Sequence, residues 1–169
     1  MKSPPPVLLA GIGNDLMGDD GLGPFLIRRL ARAYVASGEL ELAETGVSCF
    51  QLMDLLAGRR AAVLVDALNV EGAEPGRVLR FDKSRLLAAE PSRFSPHQPA
   101  LRETILAAEA LGGPVESVIL YGVQGGSFEM GEGLSPAAAA SLDELEAAVV
   151  SELHRLGVGL EPRRSELLE

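Results

Sequence analysis

Apolar and polar residues follow two rhythms along this chain. The runs "VLLA" (Val7 to Ala10), "AAVLV" (Ala61 to Val65) and "SVILYGV" (Ser117 to Val123) are apolar almost throughout, the pattern of strands covered on both faces of a parallel sheet. "ELELAE" (Glu39 to Glu44) alternates, as a half-covered strand does. Between them the spacing turns helical. Leu22, Leu26, Leu30 and Ala33 share one helix face, and Cys49, Leu52, Met53 and Leu56 share another. A third helix is predicted near 101–111. The last opens at Ser135 and Pro136, a favoured N-cap and first-turn pair, and carries Leu142, Leu145, Val149, Leu153 and Leu156 on one stripe.

The link "NVEGAEPG" is too short for a helical crossover, so the following run, Arg77 to Asp82, is expected to return antiparallel. Strands alternating with helices then define an α/β fold: a three-layer α/β/α sandwich around a mixed, mostly parallel sheet of about five strands. A chain of 169 residues, 47% hydrophobic, is sized for a single domain over 1–169. The charged ending, 158–169, is expected to fray.

Charge narrows the partners. With 15 Lys and Arg against 24 Asp and Glu, the net charge of -9 repels phosphate backbones and anionic lipid headgroups, so no nucleic acid and no membrane partner is expected. No apolar run is long enough to span a bilayer. Cys49 stands alone, which excludes an intrachain disulfide or a cysteine zinc cluster and suits a reducing compartment. A monomer in the cytoplasm is the expectation.

The stretch "GIGNDLMGDDGLGP" (Gly11 to Pro24) joins the first strand to the first helix. As a phosphate cradle it fails: a dinucleotide fingerprint needs glycine where Leu16 stands, no Gly-Lys-Ser/Thr follows, and Asp15, Asp19 and Asp20 would repel the ligand. Capping of the helix accounts for one of the Asp19–Asp20 pair, at about 0.3–1 kcal/mol, and leaves the other unexplained. Folds of this class place their sites at the carboxyl ends of the parallel strands. This loop and Asp66, at the end of "AAVLVD", leave the sheet at that edge, so acids distant in sequence should meet there. His97, in the proline-stiffened loop "SPHQP", would complete a set of two oxygens and one nitrogen, which suits nickel, zinc or iron better than magnesium or calcium. His154 lies beside the apolar stripe of the last helix and is read as a surface or partly packed residue. Cys49 has no histidine near it in sequence and is read as a small buried apolar residue rather than a nucleophile. At this level Asp19 and Asp20 are equal candidates.

The blocks "GIGNDLMGDDGLGP", "VLVDAL", "SPHQPAL" and "YGVQGGSFEMGEGLSP" occur in the order, and at about the spacing, of the hydrogenase maturation proteases, which this chain resembles from about Val7 to Leu156. The resemblance implies an endopeptidase that removes the C-terminal extension of a nickel-iron hydrogenase large-subunit precursor after nickel insertion. It also implies that nickel carried by that substrate is the recognition signal, with no tightly bound metal of the enzyme's own. It selects Asp20 from the acid pair and sets it with Asp66 and His97 as the metal-binding and catalytic residues. A non-catalytic, nickel-sensing chaperone or binder of the same subunit is the alternative. Where many family members carry aspartate-glycine-glycine-threonine, this chain has Glu44, Thr45 and Gly46. In the rim segment "SFEMGEGLSP", Glu129 and Glu132 are expected to be solvated, and Phe128 and Met130 are read as core-facing anchors rather than as a peptide-binding edge, the alternative.

Overall fold

A computed structural model describes residues 5–88 and 101–163. The chain runs β1 (Val7–Ile12), α1 (Leu22–Ala33), β2 (Tyr34–Ala36), β3 (Leu40–Gly46), α2 (Cys49–Leu56), β4 (Ala61–Leu68), β5 (Val78–Asp82), α3 (Lys83–Ala88), α4 (Leu101–Gly112), β6 (Ser117–Gln124), α5 (Pro136–Arg155) and β7 (Leu160–Pro162). A single 3-10 turn, Gly18–Gly21, lies between β1 and α1.

The main sheet has five strands in the order β3-β1-β4-β6-β5. The first four are mutually parallel, and β5 runs antiparallel to β6, as the short link before it requires. Strand periodicity divides the core into two layers. Val7 and Leu9 of β1, with Ala61, Val63 and Val65 of β4, pack beneath Leu22, Leu26 and Leu30 of α1 and Leu142, Leu145 and Leu153 of α5. Leu8, Ala10 and Ile12, with Ala62, Leu64 and Leu68, pack beneath Leu52 and Leu56 of α2 and Ile105 and Ala108 of α4. Each fully buried leucine is worth about 1.5–3 kcal/mol, so these two faces, rather than helix propensity, hold the helices in place. The expected three-layer α/β sandwich with a mixed, mostly parallel sheet is the architecture found.

Three elements escape the sequence pattern. β2 and β7 pair antiparallel as a separate two-stranded ribbon, so Leu160–Pro162 is held in a strand where the tail was expected to fray. α3 begins directly after Asp82, whose carboxylate accepts the Arg85 N–H at 2.9 Å and the Ser84 hydroxyl at 2.7 Å as an N-cap. The strand containing Asp66 also extends through Leu68, so that aspartate stands inside β4 rather than at its end.

Close backbone approach sets α1 on the sheet. Gly23 and Gly11 face one another where α1 crosses β1, and a Cβ on Gly23 would collide with the carbonyl oxygens of Ile12 and Val65. Nothing flexible can yield there. Gly23→Ala is therefore expected to lower stability by about 1–3 kcal/mol, seen as a lower urea midpoint at unchanged slope; an unaltered midpoint would show that α1 does not depend on this approach.

Candidate active site

β1 ends in a turn that only glycine tolerates. Gly13 has φ of 132°, and a Cβ there would run into the backbone carbonyl of Asp20. The Gly13 N–H donates to the Gly46 carbonyl at 3.0 Å, which ties the exit of β1 to the exit of β3. The chain then folds back through the 3-10 turn and lays Asp20 over Gly13. Both acids of the pair are buried, Asp19 completely and Asp20 to 4% exposure.

They face different partners. Asp19 reaches across to the connection between β6 and α5. Its Oδ1 accepts the Ser135 N–H at 2.6 Å, and its Oδ2 accepts the N–H groups of Gly126 and Ser127 and the Ser135 hydroxyl at 2.6, 3.1 and 2.8 Å. The Asp19 N–H in turn donates to the Ser127 carbonyl at 2.8 Å. Burial alone would push the Asp19 carboxyl up; hydrogen bonds from Ser135, Gly126 and Ser127 outweigh it and hold the group below its ordinary value of 3.8. Asp19 thus serves the start of α5 through its N-cap serine, and not the helix of its own loop. Asp20 instead turns back toward the end of β1, where its Oδ2 accepts the Asn14 N–H at 2.8 Å.

Asp66 comes from the neighbouring strand. β1 pairs with β4 only as far as Gly11 opposite Val65, whereas β4 continues against β6 through Leu68. Asp66 is the first β4 residue beyond the departure of β1. The helix after β1 covers one face of the sheet and the helices α3 and α4, which follow β5, cover the other, so β1 and β4 flank the point where connections diverge, where α/β sheets form ligand crevices. The 3-10 turn bearing Asp20 packs on β4. Two buried carboxylates from distant parts of the chain therefore occupy one edge.

Period-two alternation puts Asp66 on the α2/α4 face, among Ala62, Leu64 and Leu68. It opens on a small pocket lined by Ile12, Thr45, Val47, Cys49, Leu101 and Thr104. Cys49, in the first turn of α2, is half-buried and lines this pocket instead of sitting in the core. Thr45 is buried beside Gly11 and Gly46. Thr104 was not singled out from the sequence; its signal is a polar residue between Leu101 and Ala108 on the buried face of α4. His97 lies outside the described residues. His154 is exposed, as read. In the rim segment Phe128 packs against Gly125 as an anchor, whereas Met130 is exposed, contrary to the core-facing expectation. No helix among the described residues is long and apolar enough to cross a membrane.

A three-layer α/β protein with paired acids at the divergence of its connections is the class these features define. The sequence profile of the hydrogenase maturation proteases matches residues 24–152. The chain belongs to that family. It is 26% identical over 159 residues to the hydrogenase 2 maturation protease of Escherichia coli, spanning 94% of this chain and 97% of that one. It is 31% identical over 157 residues to the hydrogenase expression/formation protein HupD of Thiocapsa roseopersicina, spanning 86% and 70%. Its fold superposes on the E. coli hydrogenase maturating endopeptidase HybD with a TM-score of 0.83 at 25% identity, over 93% of this chain and 97% of HybD.

The Asp19 clamp carries a test of its own. Because its folded pKa is lowered, its contribution is complete above the ordinary carboxylate value and is lost as pH falls through the depressed folded value. Asp19→Asn, which turns an amide toward N–H donors, is expected to cost about 3 kcal/mol at neutral pH and to flatten the fall in stability below pH ~4. Urea unfolding of both proteins at several pH values measures this, and parallel pH profiles would refute the assignment.

Proposed function

We propose that this chain is the endopeptidase that removes the C-terminal extension from a nickel-iron hydrogenase large-subunit precursor once nickel has been inserted. Asp20, Asp66 and His97 bind the nickel that the precursor carries, and the enzyme holds no metal of its own. The observation that supports this most is the pair of buried carboxylates, Asp20 on the 3-10 turn that follows β1 and Asp66 in the adjacent parallel strand β4, at the sheet edge where the connections diverge. Carboxylate oxygens gathered at one buried edge are suitable donors to a divalent cation. With an imidazole from His97 the donors suit a borderline ion such as nickel.

In this reading the division between the two neighbouring aspartates is functional. Asp19 is consumed by backbone and hydroxyl donors, which fixes the turn and leaves Asp20 turned back over Gly13 and the end of β1. Asp66 stands across the gap left by β1. The precursor's nickel, when bound, supplies Lewis acidity for the scissile carbonyl or for a water. The chain's own residues hold the extension in register and keep the site closed around it, with either aspartate able to take the proton of the attacking water. A precursor without nickel lacks the group that these carboxylates complete, so it is not retained for cutting.

Incubation with a cognate, nickel-loaded precursor should release a short C-terminal fragment detectable by mass spectrometry. Asp20→Asn, Asp66→Asn and His97→Ala should each lower the cleavage rate by about 10²-fold or more while thermal unfolding still shows a folded protein. Absence of the fragment with loaded, cognate precursor overturns the assignment of activity. Normal processing by the triple variant overturns the assignment of residues.

A further inference from the structure

Large apolar side chains lie exposed around the same edge. Leu16 is 67% exposed, Val47 50%, Phe50 78% and Met130 75%. Leu16 follows β1, Val47 and Phe50 follow β3, and Met130 follows β6, so these residues stand on connections leaving strands on both sides of Asp66. The Gly131 N–H donates to the Leu16 carbonyl at 2.9 Å, which joins the Leu16 and Met130 segments into one rim. Val47 lines the pocket that Asp66 opens on. Side chains this exposed contribute little to the fold, and apolar residues gathered at one edge mark interaction surfaces.

The charges around them are mostly acidic among the described residues. Asp15, Glu44, Asp54, Glu129 and Glu132 are exposed on these same segments. Among the described residues of this rim, Arg28 is paired with Asp15 at 2.7 Å and Glu44 at 2.6 Å, and Arg77 stands at the β5 side. We propose that this rim is the docking surface for the folded body of the large-subunit precursor, and that it recognises an apolar patch bordered by lysine and arginine. This rests on the function proposed above. An extended tail would be expected to add to a strand edge, whereas these positions come from three separate connections, Phe50 from the first turn of α2, and fit a folded surface. A second copy of this chain, itself at -9, would set acid against acid. The precursor's body therefore binds through the rim, while only its terminal segment reaches the pocket beside Asp66.

The test compares Phe50→Ser with Met130→Ser, the double variant, and Leu111→Ser as a control. Leu111 is 66% exposed at the end of α4, by the opposite edge of the sheet. The first two are expected to raise KM for nickel-loaded precursor about tenfold or more, the double variant further, with kcat within about twofold of wild type. Glu129→Lys combined with Glu132→Lys should slow association and weaken its dependence on salt. Biolayer interferometry with immobilised precursor reads binding separately from cleavage. Loss of binding in the Phe50 and Met130 variants, but not in Leu111→Ser, supports the docking surface even where no fragment is released. Wild-type binding and KM in the double variant, or equal losses in Leu111→Ser, overturn it while the peptidase assignment stands. A wild-type protein that neither binds nor cleaves loaded precursor overturns both.

Discussion

The buried Asp19 carboxylate couples the exit of β1 to the entrance of α5 through the N–H groups of Gly126, Ser127 and Ser135 and the Ser135 hydroxyl. A carboxylate taken out of water is destabilising unless its lone pairs are filled, and here each oxygen is met by a donor at short range. The consequence reaches beyond stability. Successive residues of a tight 3-10 turn point in different directions, so anchoring Asp19 on the α5 side sends Asp20 back over Gly13 and the end of β1. Without a fixed turn the second aspartate would be a mobile surface acid. With it, an aspartate side chain is buried at the sheet edge in a defined place.

The sheet supplies the other half of the arrangement. β1 stops pairing with β4 at Val65 while β4 continues along β6, and the gap this opens is where Asp66 faces the α2/α4 side. An aspartate at a position that alternation reserves for the core conflicts with burial, and a conflict of this kind is expected where function overrides packing. Gly122, opposite Asp66, has no side chain, and Leu68 fills the space beside it. The glycine contacts of α1 act in the same direction, since they bring the helix backbone down on the strand ends and leave no room there for anything but the loop itself.

Much of this was legible in the sequence because the main elements are long and strongly patterned. The apolar runs at Val7, Ala61 and Ser117 gave the central strands, and the short link before Arg77 gave the antiparallel one. What escaped was short or decided by tertiary contact. Tyr34–Ala36 and Leu160–Pro162 are three residues each, too brief for periodicity to register, and exist as strands only by pairing with one another. Lys83–Ala88 is a six-residue helix whose one local sign is the N-cap Asp82. The pattern placed Asp20 and Asp66 at one edge but could not separate Asp20 from Asp19, because the difference lies in which loop, more than a hundred residues away in sequence, supplies the donors. Met130 was misjudged for a related reason: inside an irregular loop no period tells inward from outward, and Phe128, two residues earlier, takes the inward position.

The contrast between crevice and rim has a thermodynamic meaning in the proposed reading. The pocket beside Asp66 is small, and its walls of Ile12, Val47, Cys49 and Leu101 admit a side chain or a stretch of backbone, not a folded body. Affinity for a large partner must then come from outside the crevice, from groups that contact it equally before and during cutting. Such uniform binding lowers KM without accelerating the chemical step. The carboxylates do the opposite: buried and few, they add little contact area, but they discriminate a precursor carrying a cation from one without. Separating the two tasks lets a weakly selective docking surface coexist with a stringent condition for cleavage. The Arg28 pairs with Asp15 and Glu44 link α1 to the loop after β1 and to the end of β3, and ion pairs exposed to this degree add only about 0–1 kcal/mol to the fold.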